Sequence, residues 1–216
     1  MIVLNLKTYP ASLDRAKDFV EIAKSVSGES GVRIPVAVPH IHLKCCGKSY
    51  KDIFAQHADD NKPGASTGSM PAEAIKTSGA SGSLLNHSEK KLTFEKIKST
   101  VDRMNELKLE TVVCAESQEE VLKIGRLSAG FIAIEPPELI GSGISVSSAK
   151  PEVISDTVST ISTINGKMQV LCGAGIGTKE DVKKSLELGA KGVLLASAFV
   201  NSKNPKEFLS SLASVF

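Results

Sequence analysis

The chain has 216 residues, 26 of them basic and 24 acidic, for a formal net charge of +2; 41% are hydrophobic and 23% charged. That length can bury a sizeable core, and charges that nearly cancel exclude a dense basic footprint for nucleic acid. Aromatic residues make up 4% with no tryptophan, which leaves no base-stacking platform, and no apolar run approaches the roughly 18 residues needed to cross a membrane.

In chain order, short apolar runs occur at residues 2–6, 34–38, 53–55, 83–85, 111–114, 131–134, 169–172 and 192–195. They are apolar almost throughout rather than alternating, the pattern of strands buried on both faces in a parallel sheet. The stretches between them carry helix punctuation. Ser117-Gln118-Glu119-Glu120 and Thr178-Lys179-Glu180-Asp181 read as capping boxes, and Asn204-Pro205-Lys206-Glu207 as an N-cap followed by proline at the first helical position. Gly79, Gly130, Gly166 and Gly189 stand just before the fourth, sixth, seventh and eighth runs, where a helix end needs a left-handed residue. No linker or low-complexity tract interrupts the series. Eight strand–helix units predict one domain over residues 1–216, folded as a closed (β/α)8 barrel near the lower size limit of that architecture. An open doubly wound sheet is the rival, but no G-x-G-x-x-G follows the first run.

The N-terminal Met1-Ile2-Val3-Leu4-Asn5 reads as a strand, too short and too uncharged for a signal peptide. Cys45, Cys46, Cys114 and Cys172 follow no framework spacing and read as reduced thiols. A soluble cytoplasmic protein is the expectation.

Three runs end in residues capable of chemistry. The first leads into Asn5-Leu6-Lys7, the fourth into Asn86-His87-Ser88-Glu89, and the sixth into Glu135-Pro136-Pro137. In a parallel barrel all strand ends face one rim, so these residues converge. A carboxylate at the mouth of a buried strand, followed by stiff prolines and then by Gly141 and Gly143, suits proton abstraction beneath a closing loop.

With Cys172-Gly173-Ala174-Gly175 added, these segments in this order resemble the signature segments of the triosephosphate isomerase family, and the Pro-Pro-Glu-Leu-Ile stretch with the short length resembles its compact archaeal branch. The resemblance runs from Asn5 to Ser197, nearly the whole chain. It implies a TIM barrel that interconverts dihydroxyacetone phosphate and glyceraldehyde 3-phosphate without metal or organic cofactor. By the same resemblance Glu135 is the base, and His87 is a neutral electrophile whose pKa the family depresses with a helix N-terminus. Lys7 supplies positive charge and Asn5 a neutral donor.

The resemblance places the substrate phosphate on Gly175, Ala196 and Ser197, with Ile140 and Gly141 contributed by a lid hinged at Pro136-Pro137-Glu138 and Ile144-Ser145-Val146. Two departures from the wider family stand out: Gly175 takes the place of a serine hydroxyl, and Ala196-Ser197 replaces a Gly-Gly pair. Both resemble the archaeal pattern, but Ala198 stands where glycine is expected even there, so a left-handed requirement at that position would strain it. Gln56-His57, then Lys62-Pro63-Gly64-Ala65-Ser66-Thr67-Gly68, resembles the family's protruding loop, which implies that Thr67 reaches Asn5 and Lys7 of a second subunit in a homodimer or homotetramer.

His40-Ile41-His42 would put two imidazoles on one side of an extended chain, but adjacent Cys45 and Cys46 are poorly spaced for tetrahedral zinc, so no metal is expected. Cys114 and Cys172 read as small packed residues near the site. Two other functions compete. One is a barrel epimerase or synthase acting on a phosphorylated sugar, which would lack the combined segments. The other is a catalytically silent scaffold, which would have lost Lys7, His87 or Glu135.

Overall fold

The computed structural model, described over residues 1–139 and 145–216, alternates strands and helices in the order β1 (Ile2–Asn5), α1 (Pro10–Ser30), β2 (Val36–Val38), α2 (Leu43–Cys46), β3 (Ile53–Ala55), α3 (Ala72–Ser78), β4 (Gly82–Leu85), α4 (Phe94–Glu106), β5 (Glu110–Ala115), α5 (Gln118–Ile124), β6 (Phe131–Ile134), α6 (Val146–Ala149), α7 (Pro151–Ile164), β7 (Gln169–Cys172), α8 (Lys179–Glu187), β8 (Gly192–Leu195), α9 (Ser197–Val200) and α10 (Pro205–Ala213). Every strand pairs in parallel with its sequence neighbour, and β8 closes on β1 through Val3↔Leu194. The fold is a closed (β/α)8 barrel.

Alternation along the strands divides the core in two. Val3, Ala37, Phe54, Leu84, Val112, Cys114, Phe131, Ala133, Leu171 and Leu194 fill the barrel interior. Ile2, Leu4, Val36, Val38, Ile132, Ile134, Val193 and Leu195 point outward against the helices. Both faces are therefore dry, which is why the strands read as continuous apolar runs.

Strand ends differ from the sequence reading for local reasons. β2 begins at Val36 rather than residue 34, because Pro35 offers its carbonyl to Leu4 but has no N–H for the ladder. β1 stops at Asn5 because Lys7 turns to a φ of 47°. Of the four glycines expected to end helices, Gly79 (φ 88°) and Gly189 (φ 97°) adopt the left-handed conformation. Gly130 and Gly166 do not, since α5 already ends at Ile124 and Asn165 takes the C-cap position of α7.

The capping box at Thr178 is complete, with both its side chain and that of Asp181 engaged. At Ser117 only half forms, because the Glu120 carboxylate accepts instead from the Glu116 N–H and from Lys91. The expected His40–His42 geometry is also corrected. These residues form a turn of 3-10 helix, and their rings donate to carbonyls of two separate segments, His57 and Leu13. Among the described residues no cluster of three or more His, Cys, Asp and Glu gathers for a metal, and no helix is long and apolar enough to cross a membrane.

Candidate active site

The inward-facing positions of the strands continue, one step past the ladder, into polar residues at the C-terminal rim. Val3 is followed by Asn5, Phe54 by Gln56, Leu84 by Asn86 and Ala133 by Glu135. Period two thus carries the apolar interior into a layer of functional groups.

Two of the rim residues are held in the left-handed region, which non-glycine residues seldom adopt: Lys7 (φ 47°) and Asn86 (φ 57°). Each is pinned on both sides. The Lys7 N–H donates to Asn5 Oδ1 (3.0 Å), and Gln56 Nε2 donates to the Lys7 carbonyl (2.9 Å). Asn86 Nδ2 donates to the Cys114 carbonyl (2.9 Å), and its Oδ1 accepts from the Leu92 N–H (3.0 Å). Strain of this kind costs on the order of 1 kcal/mol and persists only where neighbours over-determine the backbone. Here it aims Lys7 and His87 across the barrel mouth.

Glu135 lies 2% exposed at the end of β6. Burial raises its carboxyl to about 7, against the opposing pull of a Cys114 thiol hydrogen bond and the Lys7 charge. Its Oε2 has no hydrogen-bond partner among the described residues. Such an atom is costly to bury and is the natural acceptor for an incoming proton. Gly173 makes the placement possible, since a β-carbon there would stand 2.4 Å from Glu135 Cγ.

His87 faces this carboxylate, with Nε2 3.9 Å from Glu135 Oε2. Its Nδ1 accepts from the Glu89 N–H (3.2 Å), so the ring proton belongs on Nε2, toward the cavity. Burial first, and then Lys7, depress its pKa below the ordinary imidazole value. The expected helix N-terminus is replaced by a turn, since α4 starts only at Phe94 and the amide facing Nδ1 comes from Glu89. Glu89 also accepts from Lys7 Nζ (2.8 Å), which fixes the amine beside the imidazole.

Lys7, His87, Glu135, Gly175, Ala196 and Ser197 line one cavity of about 110 Å³. Its far wall is the loop after β7 together with the start of α9. Gly175 sits at φ 70°, and Asp181 Oδ2 accepts from the Gly177 N–H (3.1 Å) and the Thr178 N–H (2.9 Å), tying that loop to α8. Ala198 lies inside α9 without a positive φ, so the strain considered for it does not arise. Asn5 lines an adjoining cavity with Lys7, its side-chain carbonyl engaged by the Lys7 N–H. Thr67 is exposed and is not part of the cavity wall. Ile140, Gly141 and Ile144 of the expected lid lie outside the described residues; its first hinge includes a 3-10 turn, Pro137–Leu139.

Sequence reasoning named Gln56, Asn86 and Glu89 only as members of longer segments and gave none of them a role of its own, although the inward step past each strand was a usable signal for the first two. The two buried cysteines part company. Cys114 points into the barrel beside Glu135, whereas Cys172 packs outward, where its thiol meets Ser185 of α8.

A buried carboxyl held near neutrality, facing a neutral imidazole across a small cavity with a lysine at its edge, defines a (β/α)8 barrel equipped for acid–base chemistry on a small ligand. The triosephosphate isomerase family model matches residues 1–214. The triosephosphate isomerase of Methanocaldococcus jannaschii is 45% identical over 214 residues, covering 98% of each chain. That of Methanothermus fervidus is 44% identical over 214 residues, covering 98% of this chain and 96% of its own. A crystal structure of triosephosphate isomerase from Bartonella henselae superposes with a TM-score of 0.72 at 20% identity, covering 99% and 97% of the two chains, and speaks for the fold alone. The chain belongs to the triosephosphate isomerase family.

Proposed function

We propose that this protein interconverts dihydroxyacetone phosphate and D-glyceraldehyde 3-phosphate through an enediolate. The observation that carries the reading is the buried, unpartnered Glu135 Oε2, 3.9 Å from the imidazole Nε2 of His87. The carboxylate takes a proton from the carbon next to the carbonyl. The C–H electrons form the new carbon–carbon double bond, and the carbonyl electrons move onto oxygen. His87 Nε2–H donates to that oxygen and Lys7 Nζ adds positive charge. The hydroxyl proton of the neighbouring carbon passes by way of His87 to the oxygen that was the carbonyl, a new carbonyl forms at that neighbouring carbon, and the protonated Glu135 returns its proton to the former carbonyl carbon. A neutral imidazole suits this step, because a depressed pKa keeps it un-ionised at pH 7 while leaving one N–H to donate.

In the same reading Gly175, Ala196 and Ser197 hold the phosphate with backbone N–H groups, the first amides of α9 having no intrahelical acceptor. Ile140 and Gly141 complete its enclosure from the lid. Asn5 acts through Lys7, whose backbone it braces. Thr67 docks at Asn5 and Lys7 of a second copy in a homodimer or homotetramer, and residues 1–216 act as one domain in the cytoplasm. The four free cysteines are consistent with that compartment.

Coupled-enzyme assay of glyceraldehyde 3-phosphate isomerisation tests the reading. Wild type turns over, and Glu135→Gln loses roughly a thousandfold or more in kcat. Comparable activity in the two proteins refutes Glu135 as the base.

A further inference from the structure

Tyr9 occupies a place that no step above uses. It lines the cavity together with Lys7, His87 and Glu135 and with Gly175, Ala196 and Ser197, the residues assigned to phosphate. The chain's other tyrosine, Tyr50, is buried and donates its hydroxyl to the Ile34 carbonyl (3.1 Å). Among the described residues nothing hydrogen-bonds to the Tyr9 hydroxyl, although a phenol at a protein surface cleft ordinarily finds a partner.

Two further facts give that hydroxyl a purpose. The loop after β7 brings Gly175, which has no side chain to donate, into the wall of the same cavity. Among the described residues that line the cavity, Ser197 and Tyr9 alone bear a hydroxyl. Tyr9 is also held in place. Its carbonyl accepts from the N–H groups of Ser12 (2.8 Å) and Leu13 (3.1 Å), and Ser12 Oγ donates back to the Leu6 carbonyl. The backbone from Lys7 to Tyr9 is therefore braced at both ends, which fixes the point from which the Tyr9 side chain extends.

We infer that Tyr9 is a substrate-binding residue whose phenolic O–H donates to the phosphate group, supplying from the β1–α1 loop the side-chain donor that Gly175 lacks. This rests on the isomerase reading and sharpens it. Lys7 then contributes charge and Tyr9 direction, from two sides of one tight turn.

Tyr9→Phe keeps the ring and removes the donor. Calorimetric titration with inorganic phosphate is expected to show binding weakened on the order of tenfold relative to wild type. KM for glyceraldehyde 3-phosphate should rise by a similar factor, with the loss falling on KM more than on kcat. Turnover of phosphate-free glyceraldehyde should fall far less. Equal phosphate affinity in the two proteins overturns the inference, as does an equal loss on both substrates, which would mark the hydroxyl as part of the scaffold. If wild type fails to isomerise glyceraldehyde 3-phosphate, the isomerase reading falls, and the phosphate titration still decides Tyr9.

Discussion

The two ends of the barrel are made from the same strands and arranged on opposite terms. At the N-terminal end, charges are spent on one another. Arg33 donates to Asp52 (2.7 Å) and, through two nitrogens, to Glu110 (3.1 and 2.7 Å), while the Met1 ammonium donates to the Lys191 carbonyl (3.2 Å). At the C-terminal end polar groups are left poised. Glu135 has an unpartnered oxygen, the Tyr9 hydroxyl has no partner among the described residues, and Lys7 and Asn86 hold backbone angles that most side chains avoid. One end stabilises the fold, and the other stores cost that a ligand can relieve.

Glu135→Gln breaks this contrast most sharply, because it should cost activity and add stability at once. The folded-state carboxyl value of about 7 lies above the ordinary 4.5, so the folded chain retains a proton that the unfolded chain releases between those values. The associated stability is fully present below about pH 4.5 and is lost as pH rises through about 7. At about pH 8 the buried anion costs on the order of 2–3 kcal/mol. The amide should therefore raise Tm by several degrees there and by little near pH 4, read by calorimetry at both pH values. In wild type, kcat/KM should climb with pH through a midpoint near 7 and level off above it, as expected for a base that must be ionised.

Gly173→Ala ranks next. A new β-carbon 2.4 Å from Glu135 Cγ displaces the carboxylate. A shift of about 1 Å there costs on the order of a hundredfold in kcat, with a smaller change in KM. Steady-state kinetics of the variant decides it, and wild-type kcat would show that the loop yields in place of the carboxylate.

At the opposite end, Arg33→Met should leave kcat within about twofold while lowering stability by roughly 2 kcal/mol in denaturant melts, chiefly because Asp52 is left buried without its partner. A large loss of activity in that variant would show that the two ends are coupled.

The smallest expected effect comes from Lys108, which holds a φ of 56° in the turn between α4 and β5, away from the rim. Lys108→Gly should stabilise by about 0.5–1 kcal/mol without touching kinetics. Strain at that turn serves the connection, whereas strain at Lys7 serves the site.

Much of this was legible before any coordinates. Strands at residues 53–55, 131–134, 169–172 and 192–195 begin and end as read, because strands buried on both faces leave uninterrupted apolar runs. Helix ends were harder. Gly130 and Gly166 look in sequence like Gly79 and Gly189, but the helices before them stop elsewhere, a choice made by packing rather than by the glycine. The His40–His42 pair was weighed on an extended chain and set aside as a metal site, whereas its actual geometry, a 3-10 turn that sends each ring to a different carbonyl, was decided by the fold.

The site divides along the same line. Which residue types stand at the strand ends, in what order, and what family they resemble are properties of the chain itself, and they pointed to Glu135, His87 and Lys7. That Glu135 sits 2% exposed against a glycine, that His87 owes its tautomer to the Glu89 amide, and that Tyr9 lines one cavity with the loops after β7 and β8 belong to the tertiary structure. The reason is physical. Apolar periodicity depends on neighbours along the chain, whereas desolvation, pKa and hydrogen-bond partnership depend on neighbours in space, which closure of the barrel brings together from segments more than a hundred residues apart.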